Sequence, residues 1–261
     1  MLFDAHLHMV DEYSQLDIKK VKEIIQDAEK SKVKYLISNS TDERTIKENI
    51  ELLKKFPNVC IAIGIFPTEF KTEKDLERIN FVKRTLNNIK EKKLLDRIII
   101  GEIGLDFKDE KSNKEVQIKA FKELINIAKE NNVFAEIHSR FAIKQTILLL
   151  EEIKYKKIIM HWFLDSKKYI DRAVKEGYFI TVGPKYLYDE NIFDNIKDVP
   201  KEQILFETDY PAIVSKKPHL PGTIKDIFNK YCKDAKITKK EMDKVLDKSF
   251  NKIFPNIKIN I

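Results

Sequence analysis

The sequence is poor in the residues that define several large classes of protein. It has only 6 glycines and 8 prolines among 261 residues, which excludes collagen-like and linker-like chains. No apolar run approaches the ~20 residues of a membrane-spanning helix, so we expect no membrane partner. The opening segment M-L-F-D-A-H-L-H contains an acid and two histidines, so we do not expect a signal peptide. Cys60 and Cys232 lie far apart in the sequence and form no C-x-x-C pair, which favours a reducing, cytoplasmic location.

The charge of the chain has an ordinary explanation. Lysine and arginine total 49 against 42 acidic residues, a net charge of +7. Most lysines fall in mixed-sign runs such as K-E-I-I-Q-D-A-E-K, which are typical of solvated helix faces; a phosphate-binding surface is the alternative. Apolar residues make up 43% of the chain, enough for a sizeable core.

Short apolar runs alternate with polar segments of helical period along the whole chain. Eight such runs predict strands over residues 2–7, 33–38, 59–65, 97–104, 133–138, 157–162, 178–183 and 204–209. Helices are predicted over residues 17–31, 42–56, 73–95, 114–131, 142–153, 166–176, 189–196, 222–233 and 238–254.

The alternation predicts the fold class. The strands are continuously apolar, as expected of strands buried on both faces of a parallel sheet. Eight strand–helix units in this length predict a closed (β/α)8 TIM barrel that forms a single domain over residues 1–261. A doubly wound open sheet is the rival, but no glycine-rich phosphate loop follows the first strand.

Polar side chains suited to metal binding stand at or near the ends of the predicted strands. In TIM barrels this edge carries the active site. Imidazole and carboxylate are ligands of zinc and other divalent ions. We therefore predict that a divalent-ion site is formed by His6, His8, Glu102, His138, His161 and Asp209. The fifth histidine, His219, lies in a later loop, where we expect a surface or pocket-rim residue and not a ligand.

Each candidate also has a structural interpretation. His6 and His8 are two apart on a strand and point to one side, which suits chelation of one ion, but paired core or surface histidines have the same spacing. Glu102 inside an apolar strand needs a cation, and a salt bridge to Arg140 is the alternative to metal. Asp209 can instead be a helix N-cap or turn residue.

Five segments together resemble one protein family. D-A-H-L-H, G-E-I-G-L-D-F, E-I-H-S-R, M-H-W-F and E-T-D-Y-P occur in the order found in the TatD-like metal-dependent deoxyribonucleases of the amidohydrolase superfamily. The resemblance runs from residue 3 to about residue 255. The pair G-E-I-G-L-D and E-T-D is specific, whereas H-x-H is common to many amidohydrolases.

The resemblance implies a role for each candidate. His6 and His8 match the first-strand ligands, and Glu102 matches a carboxylate shared between ions. His138 and His161 match the ligands of a second position. The resemblance further implies that Asp209 binds metal and accepts or donates the proton of a water. It also implies that Arg140 is a basic residue suited to binding a substrate phosphate.

Two positions depart from the family pattern. Phe66 stands in G-I-F-P where the family has G-I-H-P, which removes a polar group facing the substrate. Trp162, in H-W-F-L-D, adds a bulky plane that stacks on a base or closes the pocket. Both changes leave the metal ligands intact and slightly favour a substrate other than DNA.

Our leading hypothesis is hydrolysis of DNA phosphodiester bonds by a water activated by one or two Zn, Mg or Mn ions, with Asp209 and Glu102 as catalytic residues. Arg140 and Lys185 are predicted to neutralise the phosphate, with Trp162 beside it. The first alternative is an amidohydrolase acting on a small amide, lactone or phosphotriester, or on aminoacylated RNA. A barrel that binds metal or a partner without turnover is the second. The sequence leaves the oligomeric state open.

Overall fold

Eight parallel strands form one sheet in which each strand pairs with the next along the chain. The computed structural model describes residues 1–10, 15–91, 94–108, 113–164 and 166–257. This consecutive order differs from a doubly wound sheet, where the order reverses at a switch point. The strands are β1 (Leu2–Leu7), β2 (Val33–Asn39), β3 (Val59–Ile63), β4 (Ile98–Asp106), β5 (Ala135–Arg140), β6 (Ile158–Met160), β7 (Phe179–Val182) and β8 (Ile204–Phe206).

The first and last strands meet and bring the sheet round into a barrel. The backbone N–H of Thr208 donates to the carboxylate of Asp4 (2.9 Å), and the N–H of Asp209 donates to the carbonyl of His6 (2.8 Å). The predicted (β/α)8 barrel is therefore confirmed. Because all eight strands are parallel, their carboxyl ends lie at one mouth of the barrel.

Helices follow the strands and cover the barrel. In the first helix, Val21, Ile24, Ile25 and Ala28 are buried on one stripe at helical spacing. Asp17 caps this helix by accepting hydrogen bonds from two backbone N–H groups of the first turn. The helices are α1 (Ile18–Lys30), α2 (Glu43–Lys55), α3 (Arg78–Glu91), α4 (Lys114–Asn131), α5 (Ile143–Ile153), α6 (Lys167–Lys175), α7 (Asn191–Ile196), α8 (Ile224–Asp234) and α9 (Lys239–Ile253).

The prediction of one long helix over residues 73–95 is wrong. A 3₁₀ turn at Glu73–Glu77 precedes α3. The Asp75 carboxylate accepts hydrogen bonds from the N–H (2.7 Å) and hydroxyl (3.0 Å) of Thr72. These local bonds tighten the first turn and compete with regular α-helix. Residues 92 and 93 lie outside the described part of the chain.

Four strands end earlier than predicted. β3 stops at Ile63 and β7 at Val182, where the apolar runs extended to residues 65 and 183. β6 stops at Met160 and β8 at Phe206, whereas the apolar runs extended to residues 162 and 209. Trp162 (φ 46°) and Asp209 (φ 51°) have left-handed backbone, which ends extended structure. The chain therefore turns at the barrel mouth, where both residues lie.

The sheet forms the centre of the core. All nine residues of β4 are buried, as are all six of β1. A buried isoleucine or phenylalanine contributes about 1.5–3 kcal/mol, so these strands contribute strongly to stability. After β8 the chain forms a small antiparallel hairpin, β9 (Ile213–Val214) and β10 (Lys217–Pro218). Among the described residues, none of the helices has the length and apolar character needed to cross a bilayer.

Candidate metal centre

The two histidines of the first strand lie side by side at the barrel mouth. His6 is buried on β1, and His8 follows the strand and is partly exposed. Because residues two apart on a strand point to the same side, their Nε2 atoms come within 3.2 Å. The Nδ1 of His8 lies 3.3 Å from the carbonyl oxygen of Asn39, which directs Nε2 towards His6.

Glu102 stands between two pairs of histidines. Its Oε2 lies 3.7 Å from Nε2 of His6 and 3.5 Å from Nε2 of His8. Its Oε1 lies 2.8 Å from Nδ1 of His138 and 3.8 Å from Nε2 of His161. Burial alone would raise the pKa of Glu102, but the charge of His6 and the hydrogen bond from His138 hold it well below its usual range. The carboxylate is therefore ionised and faces a nitrogen pair with each oxygen.

Asp209 follows β8, the strand next to β1, and its side chain faces the first-strand pair. Its Oδ1 lies 3.4 Å from Nε2 of His6 and 3.6 Å from Nε2 of His8, and its Oδ2 lies 4.0 Å from Nε2 of His161. Burial alone would raise the pKa of Asp209, but hydrogen bonds from His6 and His8 hold it well below its usual range. Its carbonyl accepts a bond from Ala212 N–H (2.7 Å), so Asp209 also opens a turn, while its side chain faces the site.

His138 and His161 are each oriented by a buried acid. The Nε2 of His138 lies 3.0 Å from Oδ2 of Asp106, which turns Nδ1 towards Glu102. Burial alone would lower the pKa of His138, but Asp106 and Glu102 raise it to about 9. The Nδ1 of His161 lies 2.9 Å from Oε2 of Glu207, and this carboxylate raises the pKa of His161 against the lowering effect of burial. Each acid fixes which ring nitrogen points into the site.

The donor atoms suit divalent cations. Metal–ligand bonds of about 2.1 Å place two ligands of a tetrahedral ion roughly 3.4 Å apart, close to the separations around Glu102 and Asp209. Protonated imidazoles neutralise the negative charge of the carboxylates, and a bound cation would neutralise it in their place. Glu207, His6 and His161 have candidate ligand atoms within 4.8 Å of one another. Because Glu207 is already bonded to Nδ1 of His161, we interpret it as an acid that orients this ring. Two further groups have candidate atoms within 4.8 Å of one another: His6, His8 and Asp209, and Glu102, His138 and His161.

Besides Asp106, three buried acids that lie two residues before a candidate ligand were missed at the level of sequence. Glu136 is fully buried, with Oε1 3.3 Å from Nδ1 of His6. The signal that would have found them is the two-residue strand period, because each precedes a candidate ligand by two positions and shares its side of the strand. The acids are Asp4, Glu136 and Glu207.

The alternative that paired Glu102 with Arg140 is wrong. Arg140 instead bonds to Asp106: both Nε and Nη2 lie 2.7 Å from Oδ2. The reason is register, since Asp106 and Arg140 are partners across β4 and β5. Burial alone would raise the pKa of Asp106, but bonds from His138 and Arg140 lower it to about 2. The partly exposed guanidinium is thus linked through one carboxylate to His138.

The other predicted substrate residues also lie at the mouth. Lys185 is in the 3₁₀ turn Pro184–Leu187 that follows β7. The Trp162 ring centroid lies 6.1 Å from that of His161, and the Phe66 centroid lies 4.7 Å from that of His138. Their contacts with a substrate stay predictions.

The expectation of a surface position for His219 is wrong. This side chain is buried, with 3% of the residue exposed. Its Nε2 lies 3.1 Å from the carbonyl oxygen of Val214, so the ring packs inside the loop after β8. A run of K-K-P-H-L-P-G gave no apolar pattern that would have predicted burial.

Comparisons with known proteins agree with this architecture. The uncharacterized metal-dependent hydrolase YabD of Bacillus subtilis is 26% identical over 263 residues, covering 97% of this chain and 99% of its own. The deoxyribonuclease TATDN3 of Homo sapiens is 25% identical over 270 residues, covering 98% and 96%. The crystal structure of YJJV, a TatD homolog from Escherichia coli, superposes with a TM-score of 0.84 at 22% identity, covering 98% of both chains, and shows the same fold.

A family profile covers almost the whole sequence. The family described as TatD related DNase matches residues 3–255, which span the barrel from β1 to the end of α9. The matched region contains every candidate residue around Glu102. The chain belongs to the TatD-related DNase family.

Proposed function

We propose that this protein hydrolyses phosphodiester bonds of DNA with the help of divalent cations. The observation that carries the proposal is the position of Glu102, whose two carboxylate oxygens each face a separate pair of imidazole nitrogens. A carboxylate placed in this way suits two cations that share it as a ligand. Two-cation sites are common in enzymes that cleave phosphodiesters.

Two sets of residues would hold the cations. His6, His8 and Asp209 would form one set, and His138 and His161 the other, with Glu102 common to both. Zinc, manganese and magnesium are the candidates, and the imidazole-rich set favours the first two. When bound, such cations lower the pKa of a water to about 7 and neutralise charge on the phosphate.

In this proposal, Asp209 would accept the proton of the attacking water. Its side chain is 18% exposed, whereas that of Glu102 is 3% exposed, so Asp209 is the more accessible of the two carboxylates. Its Oδ1 lies 3.4 Å from His6 and 3.6 Å from His8, so Oδ2 would be the oxygen that takes the proton. A carboxylate within hydrogen-bond reach of the nucleophile acts as a general base.

The surroundings of the site suit a nucleotide. Arg140 is 47% exposed and held by Asp106, so its remaining N–H groups can meet a phosphate oxygen. Lys185 lies in the turn after β7, two strands along from Arg140, and adds positive charge. The planes of Trp162 and Phe66 offer stacking surfaces for bases, an interaction of about 1–3 kcal/mol per base.

The test is hydrolysis by protein that has been stripped with a chelator and reloaded. With Zn²⁺, Mn²⁺ or Mg²⁺, the protein should cleave DNA oligonucleotides, and Glu102→Gln should lower both activity and metal content. The matched control is Glu130→Gln, at the exposed end of α4 away from the mouth. Cleavage of small amides, lactones or phosphotriesters but no oligonucleotide would reassign the substrate. Bound metal without any hydrolysis would leave a binding protein.

A reducing compartment is also proposed. Cys60 and Cys232 are both buried free thiols, and burial raises the pKa of the Cys232 thiol to about 11. Neither forms a disulfide within the described part of the chain. Cytoplasmic proteins keep thiols in this state.

A further inference from the structure

The hairpin of β9 and β10 is tied to the candidate metal centre. It begins four residues after Asp209. The N–H of Ala212 donates to the carbonyl of Asp209 (2.7 Å), and the N–H of His8 donates to the carbonyl of Tyr210 (2.6 Å). The segment that leads into the hairpin is therefore bonded to two of the candidate ligand residues. The hairpin has a fixed starting point at the rim of the mouth.

The hairpin is held in shape at its tip and at its base. Ser215 (φ 50°) and Lys216 (φ 74°) both have left-handed backbone, the combination found in the tightest two-residue hairpin turns. At the base, the buried His219 ring contacts the carbonyl of Val214 and lies 5.8 Å from the ring of Tyr188. Left-handed backbone at non-glycine residues costs free energy and tends to be kept at functional sites.

The hairpin presents positive charge and apolar surface to solvent. Lys216 and Lys217 are exposed, and Ile213 is 67% exposed. Among the described residues, neither lysine makes an ion pair, in contrast to Lys201 and Lys230, which pair with acids. Two adjacent cations that pair with no acid in the described part of the chain, at the edge of a hydrolase site, attract a polyanion.

We propose that this hairpin arm, residues 213–218, binds the sugar–phosphate backbone of the DNA substrate beyond the bond that is cleaved. Lys216 and Lys217 contact phosphates, and Ile213 packs against a sugar or base. The inference rests on the proposed function, because it takes DNA as the substrate. The seven residues from Asp209 to Lys216 span at most about 25 Å. Because successive phosphates of a strand are about 3.4 Å apart, the contacted phosphates lie within roughly seven nucleotides of Asp209.

The experiment compares Lys216→Ala/Lys217→Ala with Lys239→Ala/Lys240→Ala. The two control lysines are also exposed and adjacent, and they begin α9. Glu241 of α9 pairs with Lys201 just before β8, so the control pair lies at the end of the barrel opposite the mouth. Binding of a labelled 20-nucleotide single strand is measured by fluorescence anisotropy without added metal, across a series of salt concentrations. Hydrolysis of the same strand and of bis(p-nitrophenyl) phosphate is measured with metal.

The hairpin variant should bind the strand several-fold more weakly, and the slope of log Kd against log salt should fall by about 1.4, since each lost phosphate contact removes roughly 0.7 for a single strand. KM for the strand should rise with kcat unchanged, and hydrolysis of the small ester should not change. Equal binding and equal slopes in the wild type and the variant would overturn the proposal, as would an equal effect of the control pair. If the wild type binds but does not cleave the strand, the proposed function fails while the binding comparison still decides the role of the hairpin. A wild type that does not bind the strand overturns the hairpin proposal.

Discussion

Glu207 accepts a hydrogen bond from His161: Oε2 lies 2.9 Å from Nδ1. The other carboxylate oxygen, Oε1, accepts the backbone N–H of Trp162 at 3.0 Å. One buried acid therefore holds both the orientation of the imidazole and the turn at the end of β6. The Nε2 of His161 is left facing Glu102, so Glu207 is a positioning residue for the candidate metal centre.

Replacing Glu207 with Gln should weaken metal binding without removing a ligand. The amide keeps a hydrogen-bond acceptor but loses the charge that favours the correct form of His161. Loss of such an orienting acid costs about 10–100-fold in metal affinity. Competition with a chromophoric chelator measures this. Glu202→Gln, an exposed residue in the turn before β8, is the control, and an equal loss in both variants would contradict the assigned role.

Metal binding should release protons near neutral pH. In the metal-free protein, Asp106 and Glu102 raise the pKa of His138 to about 9 against the opposing effect of burial. The imidazole is then protonated at pH 7 and must lose that proton to bind metal, so apparent affinity should rise about tenfold per pH unit up to pH 9. Titration calorimetry in buffers of different ionisation enthalpy counts the protons, and a count of zero would contradict the prediction.

The same raised pKa sets the pH dependence of stability in the metal-free protein. The stabilisation from protonated His138 is fully present below about pH 6.5, its unfolded pKa, and is lost as the pH rises through about 9. The melting temperature of the stripped protein should therefore fall over this window. A melting temperature that rises from pH 6.5 to 9 would show that the sign is wrong.

Phe141 should lower the free energy of unfolding while its exposed ring offers a stacking surface for DNA. Its side chain is 76% exposed and its φ is 56°, an unfavourable conformation for an aromatic residue. Phe141→Asn should raise the free energy of unfolding by about 1 kcal/mol, because Asn tolerates left-handed backbone. It should also weaken binding of single-stranded DNA by removing a stacking surface. The control Leu148→Asn, on α5, should lower stability and leave binding unchanged; a Phe141→Asn variant less stable than the wild type would refute the argument.

Arg78 joins three segments beside the barrel. Its Nε lies 2.7 Å from Glu43, on α2, and its Nη1 lies 2.5 Å from Glu69, in the turn after β3. The hydrogen bond from Arg78 lowers the pKa of Glu43 against the opposing effect of burial. Arg78→Met should lower the free energy of unfolding by about 1 kcal/mol at pH 7. Because a lowered acid pKa stabilises fully above the unfolded value and progressively less below it, the difference should shrink as pH falls below about 4.5.

The check on Arg78 is urea unfolding at pH 7 and at pH 3.5. Lys74→Met, at an exposed neighbouring position, should change stability little at either pH. An equal deficit of Arg78→Met at both pH values would exclude the ion pair with Glu43 as its cause.

Local patterns carried most of the fold. The α4 bounds follow from the sequence, because Asn113 caps the start and Asn132, with left-handed backbone, ends the helix. The apolar runs likewise located all eight strands of the barrel. What failed was the exact end of several strands. At β6 and β8 an apolar run does not show where Trp162 and Asp209 leave the sheet.

The candidate site was predicted only in part. His6 and His8 stand out because residues two apart on a strand point to one side, and Glu102 because a lone carboxylate interrupts an apolar run. The pairing of Asp106 with Arg140 depends on the register of β4 against β5, which local sequence does not contain. Burial of His219 depends on a fold of the loop around it and had no periodic signal.

We expect Glu102 to be shared between two cations at the barrel mouth, and anomalous diffraction from crystals loaded with Mn²⁺ or Zn²⁺ locates them. Two peaks are expected, one among His6, His8 and Asp209 and one beside His138 and His161. Glu102 should lie between the two peaks, and both should weaken in Glu102→Ala. Peaks away from these side chains, or none in active protein, would show that Glu102 does not hold two cations.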